Sequence, residues 1–337
     1  MEKISKIYKK IISGKIISTK ESFEIFDAML DNRLSIQEIS AVLTVLSFRG
    51  ENHQEIIGVS KVLVQRSKKI NLGKQLIDTC GTGGDNKNSF NISTATAILL
   101  STCGLKVSKH GNRSVTSKSG SIDVLEALGI KILEKNSEII TFFKKHDICF
   151  LFAPYFHKTL KQIGDTRNKL KFRTIFNLIG PLLNPSKPCF QLIGVSDKKF
   201  LDTHAICLKE IKVKEGWVVT NCKGFDELTT ASENLIVKVK KGQISKRITL
   251  NPADFGFKIC KENDLKGGDA KENAFLMHRL FEGETGPMRD NVILNTAACL
   301  MIGGKVKSMV EGISLSQKKI DDFSARQKLE EMTSGPK

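Results

Sequence analysis

The stretch Asp78-Thr79-Cys80-Gly81-Thr82-Gly83-Gly84-Asp85 constrains this chain most. Leu76 and Ile77 before it read as the end of a buried strand. Beyond Asn88-Ser89-Phe90-Asn91-Ile92-Ser93-Thr94, the apolar residues Ala95, Ala97, Ile98, Leu99 and Leu100 read as a packed helix. A strand, a glycine turn and a helix start in that order expose backbone N–H groups free of Cβ obstruction and add the positive end of the helix dipole. Such a turn suits an anion, most often phosphate. The spacing fits neither the G-x-G-x-x-G of dinucleotide binders nor the phosphate loop of nucleotide triphosphatases. The plainer alternative is a turn that needs glycine only for its backbone angles. Asp85 tips the balance, because a carboxylate beside phosphate repels it unless it bonds a sugar hydroxyl or faces a metal ion. A ligand with both phosphate and sugar is the better reading.

The texture around this stretch separates two parts. Residues 1 to about 70 read as helices only: Ile4, Ile7, Ile11 and Ile12 share one face, and Ser18 with Glu21, Ser35 with Glu38, and Asn52 with Glu55 each start a further apolar-striped helix. From Leu76 onward strands alternate with helices, the strands being Leu105 to Val107, Ile148 to Phe152, Phe190 to Val195 and Trp217 to Thr220. A hairpin from Ile236 to Leu250 turns at Gly242-Gln243, and further helices follow from about Lys271 and Asn291. The expected fold is α/β: a small all-helical domain over 1–70, which some later helices may join, and a large α/β domain over 71–337 with a mostly parallel central sheet flanked by helices. Ligands of such sheets gather beyond the carboxyl ends of the strands.

Charge and cysteine content exclude several classes. The formal charge of +17 invites a nucleic-acid reading, but residues 1–70 carry 12 basic and 8 acidic side chains, close to a proportional share. Diffuse lysine without a basic arm, zinc finger or RNP-type pattern reads as a solvated surface whose field favours polyanionic small substrates. No nucleic-acid partner is expected. Cys80, Cys103, Cys149, Cys189, Cys207, Cys222, Cys260 and Cys299 form no C-x-x-C pair and sit mostly in apolar runs, as in a reducing compartment. With no apolar run long enough for a bilayer and no apolar core at Met1-Glu2-Lys3-Ile4-Ser5-Lys6, the expected location is cytoplasmic and no membrane partner is expected.

Three further polar segments fall near strand ends. Lys109-His110-Gly111-Asn112-Arg113-Ser114-Val115-Thr116-Ser117-Lys118-Ser119-Gly120-Ser121 packs cations, hydroxyls and glycines between a strand and a helix, one unit beyond the glycine turn. Lys109 there can neutralise phosphate. His110 reads either as a general base or, better, as a histidine fixing the loop or lining the pocket. Asp226-Glu227 follows the strand at Trp217 and suits Mg²⁺, which takes hard oxygen ligands and shares them with substrate phosphates; Ser93 can add an oxygen. Arg167, followed by Arg173 through Pro185 with its proline-fixed apolar wall, suits a flat substrate carrying a carboxylate.

Taken together, Gly81-Thr82-Gly83-Gly84-Asp85, Asn91-Ile92-Ser93-Thr94, Lys109 through Arg113, Asp226-Glu227 and Arg173 through Pro185 resemble the anthranilate phosphoribosyltransferases of tryptophan biosynthesis, over nearly the whole chain. The glycine loop alone is shared with pyrimidine nucleoside phosphorylases, and the Lys109 to Arg113 run separates the two. The resemblance implies a helical domain joined to an α/β domain of the nucleoside phosphorylase and phosphoribosyltransferase type, a homodimer through the helices, and transfer of the phosphoribosyl group of phosphoribosyl pyrophosphate to anthranilate. It further implies that Gly81, Gly84, Asp85, Ser89, Asn91, Ile92, Ser93, Thr94, Lys109, His110, Gly111, Asn112, Arg113, Ser114, Val115, Thr116, Ser117 and Ser121 contact substrate. Ser93, Asp226 and Glu227 would hold Mg²⁺, two ions per site, with Lys109, Asp226 and Glu227 catalytic. Asn112 and Arg167, with Gly81, would hold anthranilate. Lys158 and Asp165 depart from the pattern, standing where similar sequences usually have prolines. Two rival readings are a pyrimidine nucleoside phosphorylase and a nucleic-acid-binding relative; the Asp226-Glu227 pair is a liability for the second.

Overall fold

A computed structural model of the chain describes residues 2–114 and 118–333. It opens with α1 (Glu2–Ile12), α2 (Thr19–Leu30), α3 (Ile36–Arg49) and α4 (His53–Arg66). At α2, α3 and α4, Ser18, Ser35 and Asn52 accept a first-turn N–H while Glu21, Glu38 and Glu55 reach back to the cap N–H. Each such cap is worth about 1 kcal/mol. The inward residues Ile11, Phe26, Met29, Leu43, Ile56 and Val62 are fully buried. Their core also takes in Ile175, Leu178, Leu201 and Cys207, and Val218 and Val237 of the sheet. The helices of the chain's start therefore share one core with a face of that sheet.

The α/β part runs β1 (Leu76–Gly81), α5 (Ile92–Thr102), β2 (Lys106–Gly111), α6 (Ser121–Ala127), α7 (Asn136–His146), β3 (Ile148–Phe152), α8 (Ala153–Phe156), α9 (Gly164–Leu170) and α10 (Ile175–Leu178). It continues through β4 (Phe190–Gly194), α11 (Leu201–Glu210), β5 (Glu215–Asn221), β6 (Asn234–Lys240), β7 (Gln243–Ile244) and β8 (Ile248–Leu250). The chain then ends in α12 (Ala270–Phe281), α13 (Pro287–Ile302), α14 (Met309–Asp321) and α15 (Ser324–Thr333). The strands form one sheet in the order β3-β2-β1-β4-β5-β6-β7, with β8 also on β6. From β3 to β5 all pairings are parallel, and from β5 outward they are antiparallel. The second core lies on the opposite face, where Ile77, Val107, Leu192 and Val219 meet the buried residues of α5 and α13.

Two local readings change. Lys109 and His110 stand inside β2 rather than in the loop after it, because Ser108, Lys109 and His110 pair with Cys149, Phe150 and Leu151 of β3. Polar residues extend a strand when a neighbouring strand supplies its ladder. The second arm of the hairpin is broken into β7 and β8, since the Ser245 hydroxyl, instead of a carbonyl, accepts the Lys238 N–H at 3.0 Å. After β1 the chain steps to β2 and β3 on one side, and later returns to β4 on the other. The order reverses between β1 and β4, and a crevice opens beyond their carboxyl ends.

Candidate active site

At that reversal Gly81 and Gly194 stand opposite each other in β1 and β4. Asp226 lies directly on both: a Cβ on Gly81 would overlap its carboxylate, and one on Gly194 would overlap its backbone carbonyl. Only glycine at both strand ends lets the loop after β5 reach across the sheet. The Thr82 N–H closes the floor on the Gly194 carbonyl at 2.9 Å. Beyond it, Gly83 and Gly84 take φ of 70° and 73°. Asn86 and Asn88 also have positive φ, which asparagine tolerates better than most residues. The loop returns against residues 262–267: Lys87 pairs with Glu262 at 2.8 Å, and the Gly267 N–H donates to the Asn88 carbonyl at 2.9 Å.

Lys109 is 3% exposed, and its ammonium donates to the Thr79 carbonyl at 2.6 Å and the Ser93 hydroxyl at 3.2 Å. Its third N–H makes no bond among the described residues. The Asp226 carboxylate accepts the Gly83 N–H at 2.7 Å, and that of Glu227 accepts the Ser93 N–H at the start of α5 at 2.9 Å. Two of the N–H groups expected to face an anion are therefore held by carboxylates. Burial, then the Asp85 charge, pushes Asp226 up to about 7. Burial, then Asp226 and Asp85, raises Glu227 well above the usual carboxylate range. Three acids thus crowd one wall with too little positive charge to hold them all ionised. Among the described residues no group of three or more His, Cys, Asp and Glu side chains is arranged to hold a metal ion unaided. The donors at this wall, two carboxylates and a hydroxyl, are hard oxygens of the kind that complete a shell with substrate oxygens.

The wall belongs to a cavity of about 410 Å³ that runs from the glycine loop to Arg167 and Phe176. A second chamber of about 570 Å³ adjoins it, sharing Asn112, His157, Leu160 and Arg167 and adding Lys158 and Lys161. The Arg167 guanidinium lies over the Phe176 ring at 5.1 Å. Burial alone pulls its pKa down, and no carboxylate pairs with it among the described residues. A cation left unpaired in a half-enclosed pocket is a receptor for an anionic group. His110 is buried with its Nε2 unpartnered among the described residues and its ring 5.4 Å from that of His157. Burial, then His157, pushes His110 down to about 3, so it stays a neutral ring and is a weak base.

Of the residues singled out from the sequence, Gly81, Gly84, Asp85, Ser89, Asn91, Ser93, Lys109, His110, Gly111, Asn112, Arg113, Ser114, Ser121, Arg167, Asp226 and Glu227 all line the main cavity. Ile92 and Thr94 are fully buried in the first turn of α5, behind that wall. Val115, Thr116 and Ser117 lie outside the described residues. Arg113 points its charge at α6, bonding Glu126 at 2.6 Å and Asp123 at 3.1 Å. Sequence reasoning gave no site role to Asn177, Gly180 and Leu183, which line the far wall, or to Asn273, whose side-chain amide donates to the Asn91 side-chain Oδ1 at 2.8 Å. The run Arg173 through Pro185 marked the first three only as a stretch, and the run Gly267 through Ala274, which shares the resemblance, marked Asn273 in the same way.

The sequence matches a family described as "Glycosyl transferase family, a/b domain" over residues 73–326, and its companion "helical bundle domain" over residues 5–67. The anthranilate phosphoribosyltransferase of Acetivibrio thermocellus is 40% identical over 97% of this chain and 95% of its own. That of Petrotoga mobilis is 41% identical over 96% and 94%. Among solved structures, the Thermus thermophilus anthranilate phosphoribosyltransferase superposes with a TM-score of 0.90 at 34% identity, covering 97% of this chain and 98% of that one. The Saccharomyces cerevisiae enzyme in complex with PRPP and Mg gives 0.88 at 26% identity, covering 98% of both. With relatives of this identity spanning nearly the whole length, and a cavity that gathers the residues which first pointed to them, the chain belongs to the anthranilate phosphoribosyltransferase family.

Proposed function

We propose that this protein transfers the phosphoribosyl group of 5-phosphoribosyl 1-pyrophosphate to the amine of anthranilate, releasing pyrophosphate, and that the cavity between the glycine loop and Arg167 carries both substrates. The observation that carries this reading is the division of charge along one cavity: Lys109 and the acids at one end, and the unpaired Arg167 over Phe176 at the other. The donor end takes the phosphoribosyl pyrophosphate through Gly81, Gly84, Asp85, Ser89, Asn91 to Thr94, Lys109 and the following loop to Ser117, with Ser121. The acceptor end takes anthranilate through Arg167, Asn112 and Gly81.

Ser93, Asp226 and Glu227 fit Mg²⁺, because crowding and burial have raised both acids and a divalent cation would relieve it. When bound, Mg²⁺ supplies charge neutralisation at the leaving pyrophosphate; two ions per site suit three acids sharing one wall. Lys109, held by Thr79 and Ser93, places its remaining N–H toward the same oxygens and stabilises the charge that develops as the bond to C1 breaks. Arg167 and Asn112 orient the acceptor so that its amine faces C1. An arylamine is neutral near pH 7, so a strong base is not required, in keeping with the low His110 pKa. We further propose a helical domain over 1–70 ahead of the α/β domain, a cytoplasmic location, and a homodimer through the helices. Phe48, 93% exposed near the end of α3, offers an apolar side chain for that contact.

The test is loss of anthranilate fluorescence when purified protein meets phosphoribosyl pyrophosphate, with and without Mg²⁺. Metal-dependent loss is expected. No loss by folded protein, with phosphorolysis of thymidine or uridine instead, would move the reading to a nucleoside phosphorylase.

A further inference from the structure

Behind the cavity lies a buried carboxylate to which the proposed reaction gives no part. Asp78 stands in β1 at 1% exposure. One oxygen accepts the backbone N–H of His110 at 3.3 Å, and the other accepts the Asn184 amide at 2.8 Å. The same Asn184 amide reaches the Ser108 carbonyl at 2.7 Å, and its oxygen takes the Ser186 N–H at 3.0 Å and hydroxyl at 2.7 Å. Ser186 completes the ring on the Ser108 hydroxyl at 2.8 Å. Three segments distant in sequence thus converge on one acid.

Isolated burial of an ion is strongly unfavourable, and among the described residues Asp78 has no salt-bridge partner in contact. The charge that acts on it most is Lys109: burial pushes Asp78 up to about 6, and the Lys109 ammonium is the first influence pulling it back. Lys109 is itself buried, with neutral oxygens as its contacts. Lys109 therefore supplies Asp78 with compensating charge across the sheet. The N–H that Asp78 binds belongs to the peptide joining Lys109 to His110, so the acid also fixes the backbone from which the lysine extends.

We infer that Asp78 is a positioning residue for phosphoribosyl transfer: braced by Asn184, its carboxylate holds the Lys109–His110 peptide and so keeps the Lys109 side chain aimed at the leaving group. This rests on the proposed reaction. Nothing in the acceptor's binding depends on it, so its loss is read in turnover and not in anthranilate affinity.

A double-mutant cycle tests it. Asp78→Asn, nearly the same shape without the charge, is expected to lower kcat about tenfold while the anthranilate KM stays within about twofold. Lys109→Met is expected to cost about a hundredfold, and adding Asp78→Asn to it no more than about twofold further. A further tenfold loss in the double variant would mean that Asp78 does not act through Lys109, and overturns the inference. Should Asp78→Asn fail to fold, Asn184→Ala keeps the charge and removes one brace. It is expected to lower kcat about threefold alone and not at all beside Lys109→Met, and additivity again overturns the inference. Wild-type protein that leaves anthranilate unconsumed overturns the reaction and this role together; active wild type with additive variants overturns the role alone.

Discussion

The two ends of the cavity are built on different terms. At the donor end three ionisable side chains each have a backbone partner: Lys109 on Thr79, Asp226 on Gly83, Glu227 on Ser93. These contacts arise from strand ends and a helix start, elements that cannot shift without disturbing the sheet. At the acceptor end Arg167 sits on the two-turn helix α9, reached through the short 3₁₀ segment Lys158–Ile163, and leans on one aromatic ring. The difference teaches where rigidity is needed. Charge developing on a leaving group is best met by dipoles already in place, whereas a flat acid needs one receptor and a wall.

Changes at the donor end should therefore strike turnover, and changes at the acceptor end should strike affinity. The largest effect is expected from Asp226→Asn with Glu227→Gln, which removes the acids without removing their volume: kcat should fall by about three orders of magnitude or more, and titrating Mg²⁺ into the reaction should no longer restore it. Retained metal dependence would break the contrast. Next, Gly194→Ala drives a methyl into the Asp226 backbone; a loss of about 3 kcal/mol or more in stability is expected, seen as a lower midpoint in urea, together with lost activity. Unchanged stability would show that the floor yields more than its geometry allows.

Arg167→Ala should raise the anthranilate KM about thirtyfold, with kcat for saturating acceptor altered less than about threefold; steady-state kinetics in both substrates separates the two. A matching rise in the donor KM would show that the two ends are not independent. The smallest effect is expected at Lys158, on the rim of the second chamber. Lys158→Ala should raise the anthranilate KM about twofold at low ionic strength and leave it unchanged near 0.5 M salt, where such steering is screened. A change that survives high salt would assign Lys158 a direct contact instead.

How much of this was legible in the sequence follows from how local each feature is. The capping boxes at Ser18, Ser35 and Asn52 are four-residue signals, and all three helices start there. The glycine turn declared itself through glycines whose φ few other residues tolerate. Lys109 and His110 read as loop because polarity was the only local cue, and the strand β3 that pairs with them arrives from later in the chain. The turn of Arg113 toward Glu126 depends on how the loop folds back over α6, and the engagement of Asn91 by Asn273 spans 182 residues. Motif residues were legible as a set; their partners were not, since pairing is a property of the closed sheet.

The contact of Glu227 with Ser93 joins residues 134 apart in the chain, and that of Asp226 with Gly83 joins residues 143 apart. Loop closures of that length are paid in chain entropy before any contact returns it, and they set the slow part of folding. The glycine loop and Lys109 leave the ribosome well before the two acids that complete their site. A chain cut anywhere between β4 and residue 226 would keep most of the recognisable motifs and have no catalytic wall at all.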